Sequence, residues 1–358
     1  MKFHNLKVKE VRRETTQTVS VAFEIPAELN EEYAYQAGQS ITFRMDIDGE
    51  DVRRSYSLCS SPVLKEDFRV AVKKVEGGKM SPFITEELKA GDEMQVMTPS
   101  GSFHVTIDAN NEKTYVLFAG GSGITPLISI LKTILTKEPK SRVILFYANE
   151  NEDAIIFRDE INQWAEKHPD NLKVFHLLNN PKQALDEAFH GIMTVEKVRS
   201  LIKSYVPAEG HHEYLICGPT PMMQNVEATV QEFDVPKNRI HLEYFTTEVA
   251  GKERPSETEE AGEEIISRVT VIMDGDEFDF ELSSNGNVIL DAAIENGVDA
   301  PFSCKGAVCA TCKAKLLEGQ VRMEQNYALT DGEVEEGYIL TCQSHPITER
   351  VVVDYDVI

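Results

Sequence analysis

The chain has 358 residues, 41% hydrophobic and 27% charged, with a formal net charge of -24 at pH 7, a length that suits two or three domains with cores of their own. That charge excludes the basic footprint of a nucleic-acid binder and disfavours anionic lipid. No run approaches the roughly 20 apolar residues of a membrane span, and MKFHNLKVKEVRRE has no apolar signal core, so the expected setting is cytoplasmic, with no nucleic acid and no membrane as partner.

Residues 1–106 read as short strands with turn punctuation: VSVAFEI (19–25), SITFRMDI (40–47), RSYSLCS (54–60) and FRVAVKKV (68–75) are β-rich and partly alternating. One short helix is expected at Ser81–Leu88, in a small antiparallel β-barrel. Residues 107–245 change character from 113 onward. YVLFA (115–119) leads into a helix with Leu127, Ile130, Leu131, Ile134 and Leu135 on one face, the i, i+3, i+4, i+7, i+8 pattern. VILFYA (143–148), LKVFHLL (172–178) and YLIC (214–217) supply further strands. Such alternation predicts a doubly wound parallel α/β sheet.

Residues 246–266, TTEVAGKERPSETEEAGEEII, are charged and poor in apolar side chains. They read as an acidic linker with an r.m.s. span of roughly 25 Å. Residues 267–358 form a third unit. RVTVIM and FDFEL flank Asp274-Gly275-Asp276, a hairpin signal, and VILDAAIENG (288–297) reads as a short helix ended by Gly297.

Charge is uneven along these units. Residues 1–245 hold 28 basic and 36 acidic side chains, and residues 246–358 hold 8 and 24. Solubility accounts for such a bias; so does an acidic docking face for a protein partner.

Six cysteines are present: 59, 217, 304, 309, 312 and 342. Clustering of four suggests a metal site rather than disulfides. Cys304-x4-Cys309-x2-Cys312-x29-Cys342 has the spacing of a [2Fe–2S] site, three thiolates on one loop and a fourth from afar, two for each iron. Gly306, Ala307 and Ala310 are small enough for the backbone to wrap closely. A four-cysteine zinc site is the alternative, but zinc ribbons pair two C-x2-C knuckles and here there is one.

Four weaker motifs accompany it. Arg54-Ser55-Tyr56-Ser57, late in a barrel strand, offers a flavin a cation, an aromatic face and a hydroxyl near N5; a strand tyrosine is otherwise core. Gly77-Gly78-Lys79-Met80-Ser81 opens the short helix, where free amides suit a pyrophosphate, or marks an ordinary turn with Ser81 as N-cap. Gly120-Gly121-Ser122-Gly123-Ile124-Thr125-Pro126 stands between strand and helix in the dinucleotide position, although it is not G-x-G-x-x-G; Pro126 suits the first helical residue. Cys217-Gly218-Pro219-Thr220-Pro221-Met222-Met223 follows a strand, and a small Cys217 there can frame a nicotinamide ring or fill core. Cys59 reads as core filler.

In this order the motifs, with Pro99-x-Gly101-x-Phe103, closely resemble the ferredoxin–NADP reductase superfamily fused at its C-terminus to a plant-type ferredoxin. The resemblance spans all but the linker and implies a β-grasp fold for the last unit. It implies flavin contacts from Arg54, Tyr56, Ser57, Val72 and Lys73, with Gly78, Met80 and Ser81 at the FAD pyrophosphate. Gly121, Gly123, Ile124, Thr125, Pro126, Asn149, Glu150, Cys217, Gly218, Pro219 and Met222 would hold NADH or NADPH. Phe245 joins the cofactor set, and Ser57 and Cys217 are the candidate catalytic pair. Domain order and the closing Glu243-Tyr244-Phe245 are similar to oxygenase reductases of the phenylacetyl-CoA epoxidase and 3-ketosteroid hydroxylase type. Many relatives have Asn-Arg where Asn149-Glu150 stands here; a carboxylate repels a 2′-phosphate and accepts from ribose hydroxyls, which tips the expectation toward NADH.

The resemblance implies electron flow from NAD(P)H to FAD to [2Fe–2S] to a partner oxygenase or epoxidase component. A free-standing NAD(P)H dehydrogenase reducing a small acceptor, or a redox sensor, are the rival readings.

Overall fold

The computed structural model describes residues 2–245 and 264–357, which fall into two compact units, Met1–Phe245 and Thr246–Ile358. Residues 246–263 of the expected linker lie outside the described residues.

The first unit opens with β1 (Phe3–Thr15), β2 (Thr18–Glu24), β3 (Ser40–Ile47), β4 (Glu50–Ser57), β5 (Phe68–Lys73) and β6 (Glu93–Met97). Their order in the antiparallel sheet is β4-β3-β6-β1-β2-β5. A bridge between Leu58 and Val70 joins the end of β4 to β5 and closes the barrel. Alternate residues such as Ile41 and Phe43 on β3, and Val70 and Val72 on β5, fill the interior, as the two-residue period requires. β1 and β6 are strands that the sequence pattern does not mark. β1 buries only Leu6 and Val8, and its ladder with β2 is broken by irregularities at Val8/Glu10 and Arg13/Thr15, which bend a strand around a barrel. Helix α1 runs from Met80 to Glu86, shorter than the expected Ser81–Leu88.

A second sheet follows, with β7 (Thr114–Gly120), β8 (Arg142–Asn149), β9 (Leu172–Leu178), β10 (His212–Cys217) and β11 (Ile240–Glu243). All neighbours are parallel, in the order β11-β10-β7-β8-β9. Helices α2 (Ile124–Lys137) and α3 (Arg158–Lys167) contribute to the core on one face. Helices α4 (Val195–Tyr205) and α5 (Thr220–Gln231) pack on the other. The direction of winding reverses between β7 and β10, and such a switch point opens a crevice at the carboxyl ends of the strands. Helix α2 is buried from Ile124 through Leu135, far beyond the expected apolar stripe. It starts at Ile124, so Pro126 is its third residue rather than its first.

The second unit begins with β12 (Ile266–Met273) and β13 (Asp276–Ser283). They turn at Asp274 (φ 53°) and Gly275 (φ 82°), two left-handed residues that a tight two-residue hairpin requires. Helix α6 (Ile289–Glu295) follows and stops before Gly297, at φ 87°. After β14 (Lys313–Glu318), β15 (Val321–Met323), α7 (Asp331–Glu335), β16 (Tyr338–Leu340), β17 (Ser344–Pro346) and β18 (Arg350–Asp354), the mixed sheet reads β13-β12-β18-β14-β16. Leu290 and Ala293 of α6 join the core with Val271, Ala314 and Val351, a helix held by a mixed sheet in the β-grasp manner. Among the described residues no helix is long and apolar enough to cross a membrane.

Candidate active site and cluster site

At the switch point two loops meet backbone to backbone. A Cβ on Gly123 would lie 2.1 Å from the Cys217 carbonyl oxygen, and one on Gly218 would lie 2.9 Å from the Gly120 nitrogen and 2.7 Å from Met222. A Cβ on Gly120 would meet Pro219 at 2.5 Å. These glycines are therefore required by close approach. Gly121, at φ 52°, turns the chain from β7 into α2, and the Lys73 ammonium reaches to 3.8 Å from where its Cβ would be. Lys73 ends β5, so the flavin-domain cation and the dinucleotide loop share one crevice. Thr125 donates its hydroxyl to the Ser122 carbonyl at 3.0 Å and is buried, as is Ile124.

Beside them Ser57, the last residue of β4, donates to Glu243, the last residue of β11, at 3.3 Å. Desolvation pushes the Glu243 carboxyl up to about 8, against the opposing effect of that hydrogen bond. Cys217 is buried at the end of β10, and burial, with Glu243 adding to it, drives its thiol far above the ordinary range. Cys217 is accordingly a neutral, compact surface and not a nucleophile. The Glu243 carboxyl is a candidate functional group that the motifs do not single out. It appears in them only within a closing tripeptide, and its partner lies 186 positions away.

The two neighbouring arginines divide their roles. Arg53 is buried, bonded to Asp51 at 2.9 Å and seated over the Phe3 ring. Arg54 is exposed and donates to the Arg53 carbonyl at 2.7 Å, leaving it the cation suited to a phosphate. Tyr56 lies 5.1 Å from Phe43, ring to ring. Val72 and Met80 point into the barrel core, so any cofactor contact from them is through the main chain. Ser81 is not an N-cap: Lys79 holds that place, and the Ser81 hydroxyl accepts from the Val75 amide at 3.0 Å, closing the Gly77–Gly78 turn. Cys59 is buried, its thiol directed at the Arg69 carbonyl at 3.3 Å.

Farther along the crevice Asn149 is buried, with neither side-chain amide atom hydrogen-bonded, an orphaned polar group that a bound dinucleotide would satisfy. Next to it the exposed Glu150 carboxylate accepts from the amides of Asn179, at 3.3 Å, and Asn180. Phe245 is exposed at the end of this unit's described chain.

In the second unit the four late cysteines gather in two pairs. The thiols of Cys304 and Cys309 lie beside each other, as do those of Cys312 and Cys342. Amides of Gly306 and Cys304 point at Cys304 and Cys309 sulfur at 3.3 and 3.5 Å. Lys305, Ala307 and Ala310 take φ of 49°, 66° and 51°, a left-handed crowding that is costly for non-glycine residues and marks functional loops. Among the described residues no three His, Cys, Asp or Glu side chains converge as one metal ion requires. Two thiolate pairs instead fit two irons with two terminal sulfurs each.

Barrel, switch-point crevice and paired cysteines together define a modular flavoprotein oxidoreductase that binds FAD, NAD and a [2Fe–2S] cluster. Residues 5–105 match the oxidoreductase FAD-binding domain, 117–228 the oxidoreductase NAD-binding domain and 271–346 the 2Fe-2S iron-sulfur cluster binding domain. The chain is 38% identical to one of the subunits of 1,2-phenylacetyl-CoA epoxidase from Escherichia coli (strain K12), over 99% of this chain and 98% of that one. It is 32% identical to the ferredoxin reductase component of 3-ketosteroid-9-alpha-monooxygenase from Rhodococcus rhodochrous, over 98% and 96%. The crystal structure of phthalate dioxygenase reductase shares the fold, with a TM-score of 0.57, 22% identity and 98% coverage of both chains. The chain belongs to the iron–sulfur flavoprotein reductases of oxygenase systems, within the ferredoxin–NADP reductase superfamily.

Proposed function

We propose that this protein takes electrons from NADH and delivers them to an oxygenase component of the phenylacetyl-CoA epoxidase type. The observation that carries the reading is the convergence of Ser57, Cys217 and Glu243 where the barrel meets the switch point of the parallel sheet, in a chain similar over nearly its whole length to a component of such an epoxidase. When bound, FAD supplies exchange between two-electron hydride transfer and one-electron transfer, and the cluster supplies one-electron carriage.

The chain's own residues bind, orient and exclude water. Tyr56 and Arg54 suit a flavin ring and phosphate, while Gly120–Gly123 and Cys217–Pro219 shape a narrow seat for the nicotinamide end. The Cys217 thiol fills that seat without charge. Glu243, protonated at neutral pH, holds a proton at its carboxyl beside the Ser57 hydroxyl, and the pair can pass it at Oγ. Glu150 faces the adenosine end with negative charge, which favours ribose hydroxyls over a 2′-phosphate. Cys304, Cys309, Cys312 and Cys342 hold the cluster. The acidic excess of residues 246–358 suits a basic face on the partner, a contact that speeds encounter and weakens with salt.

Reconstitution with a phenylacetyl-CoA epoxidase oxygenase component tests this. NADH-dependent epoxidation that falls steeply between low and high salt supports it. Brisk reduction of quinones or ferric chelates with no turnover of the oxygenase would favour a free-standing dehydrogenase.

A further inference from the structure

Barrel and parallel sheet also meet away from the crevice, along one face of α2. Ser129 donates to the Ser60 carbonyl at 2.6 Å. Ser61 Oγ lies 2.8 Å from Thr133 Oγ1; Thr133 gives its own proton to the Ser129 carbonyl at 2.8 Å, so Ser61 is the donor. Between them Lys132, 3% exposed, places Nζ 2.9 Å from Glu66 on the barrel side and 2.9 Å from Glu160 on α3. Glu66 also accepts from the Ser61 amide at 2.7 Å. Burial alone would lower the Lys132 ammonium; Glu160 and Glu66 reverse that and raise it.

Positions 129, 132 and 133 share one face of a helix, and what they grip is the 60–66 loop. That loop leaves β4 just past Ser57. The helix itself begins directly after the Gly120–Gly123 loop. Apolar contacts of Cys59, Ala71 and Phe103 with α2 lie in the same core, but apolar contact is non-directional and tolerates sliding. Buried hydroxyl bonds and a paired buried ammonium tolerate none, because displacement leaves polar groups unsatisfied. A cleft of about 730 Å³ opens beside the ion pairs, lined by Lys132, Glu66 and Glu160 themselves with Arg69 and Arg158, so apolar packing does not continue the seam there.

We propose that Lys132, with Ser61, Ser129 and Glu66, is a positioning residue for hydride transfer: the seam sets the register between the flavin-bearing strand and the helix that seats the nicotinamide. This rests on the reading that Ser57 and Cys217 flank the reacting rings.

The test uses the full chain loaded with FAD and cluster, in anaerobic stopped flow with NADH and with NADH deuterated at C4. Lys132→Met and Ser61→Ala should each lower the limiting rate of flavin reduction about 10- to 100-fold, the penalty of misplacing reactants by about 1 Å. NADH affinity should change little, the long-wavelength charge-transfer absorbance should weaken, and the deuterium isotope effect should grow. Lys132→Arg should recover most of the rate. If Lys132→Met fails to fold, Ser61→Ala and the triple variant Lys132→Met, Glu66→Gln, Glu160→Gln, which leaves no buried charge unpaired, decide the matter. Wild-type limiting rates and charge-transfer absorbance in folded variants, whatever their melting temperatures, would overturn the proposal, as would an effect confined to NADH affinity. A wild-type protein whose flavin NADH does not reduce would instead overturn the reading of the Ser57–Cys217 site.

Discussion

Ser57 closes the flavin-domain strand β4, Glu243 closes the edge strand β11 of the nucleotide sheet, and a hydrogen bond of 3.3 Å joins them. One carboxyl thus touches both halves of the candidate active site, and desolvation raises it to about 8.

Flavin reduction by NADH is expected to decline as pH rises through about 8, where the Glu243 carboxyl loses its proton. Glu243→Gln keeps the neutral shape and should flatten that limb in a stopped-flow pH profile. The stability sign is also defined. An unfolded glutamate titrates near 4.5, so the native state holds the extra proton from there to about 8. The contribution is complete below the lower value and is lost as pH rises through the upper one. Thermal melts of wild type should fall over that interval more than those of Glu243→Gln.

Glu150→Arg should move coenzyme preference toward NADPH by about 1–3 kcal/mol, or roughly 10- to 200-fold in relative kcat/KM. The wild-type carboxylate, oriented by Asn179 and Asn180, should favour NADH. Steady-state assays with both coenzymes check both statements, and a wild type preferring NADPH would contradict the assignment.

Gly123→Ala should destabilise the protein by about 1–3 kcal/mol and weaken NADH binding. The added methyl would strike the Cys217 carbonyl oxygen, at 2.1 Å, and that atom is backbone. Melting temperature and NADH titration are the readouts; an unperturbed variant would show that the two loops are not packed as described.

Cys342→Ala should abolish cluster absorbance while leaving reduction of the flavin by NADH intact, since the cysteines and the crevice belong to separate compact units. Absorbance spectra before and after NADH addition distinguish this outcome from a joint loss.

Much of this was legible in the sequence where a local pattern mirrors a local cause. β3 occupies the expected 40–47 because its alternation coincides with a barrel interior. Asp274-Gly275 dictated its hairpin, and the cysteine spacing anticipated two thiolate pairs. β1 was hidden because its exposed face is a run of Lys7, Lys9, Arg12 and Arg13, with just two deeply buried side chains. Glu243 and Lys132 were hidden for another reason. Each takes its meaning from partners brought by the fold, Ser57 in one case and Glu66 in the other, and no spacing rule connects them. A lysine inside an apolar helix reads as its solvent side until the neighbouring domain covers it.

The order of electron flow is the central claim, and rapid mixing of the cluster-loaded chain with NADH and its oxygenase partner measures it directly. Flavin absorbance should bleach first, cluster absorbance second, and oxygenase turnover should then follow in the wild type and vanish in Cys342→Ala. Sustained oxygenase turnover by Cys342→Ala, with flavin reduction unchanged, would show that electrons leave from the flavin and would contradict the account.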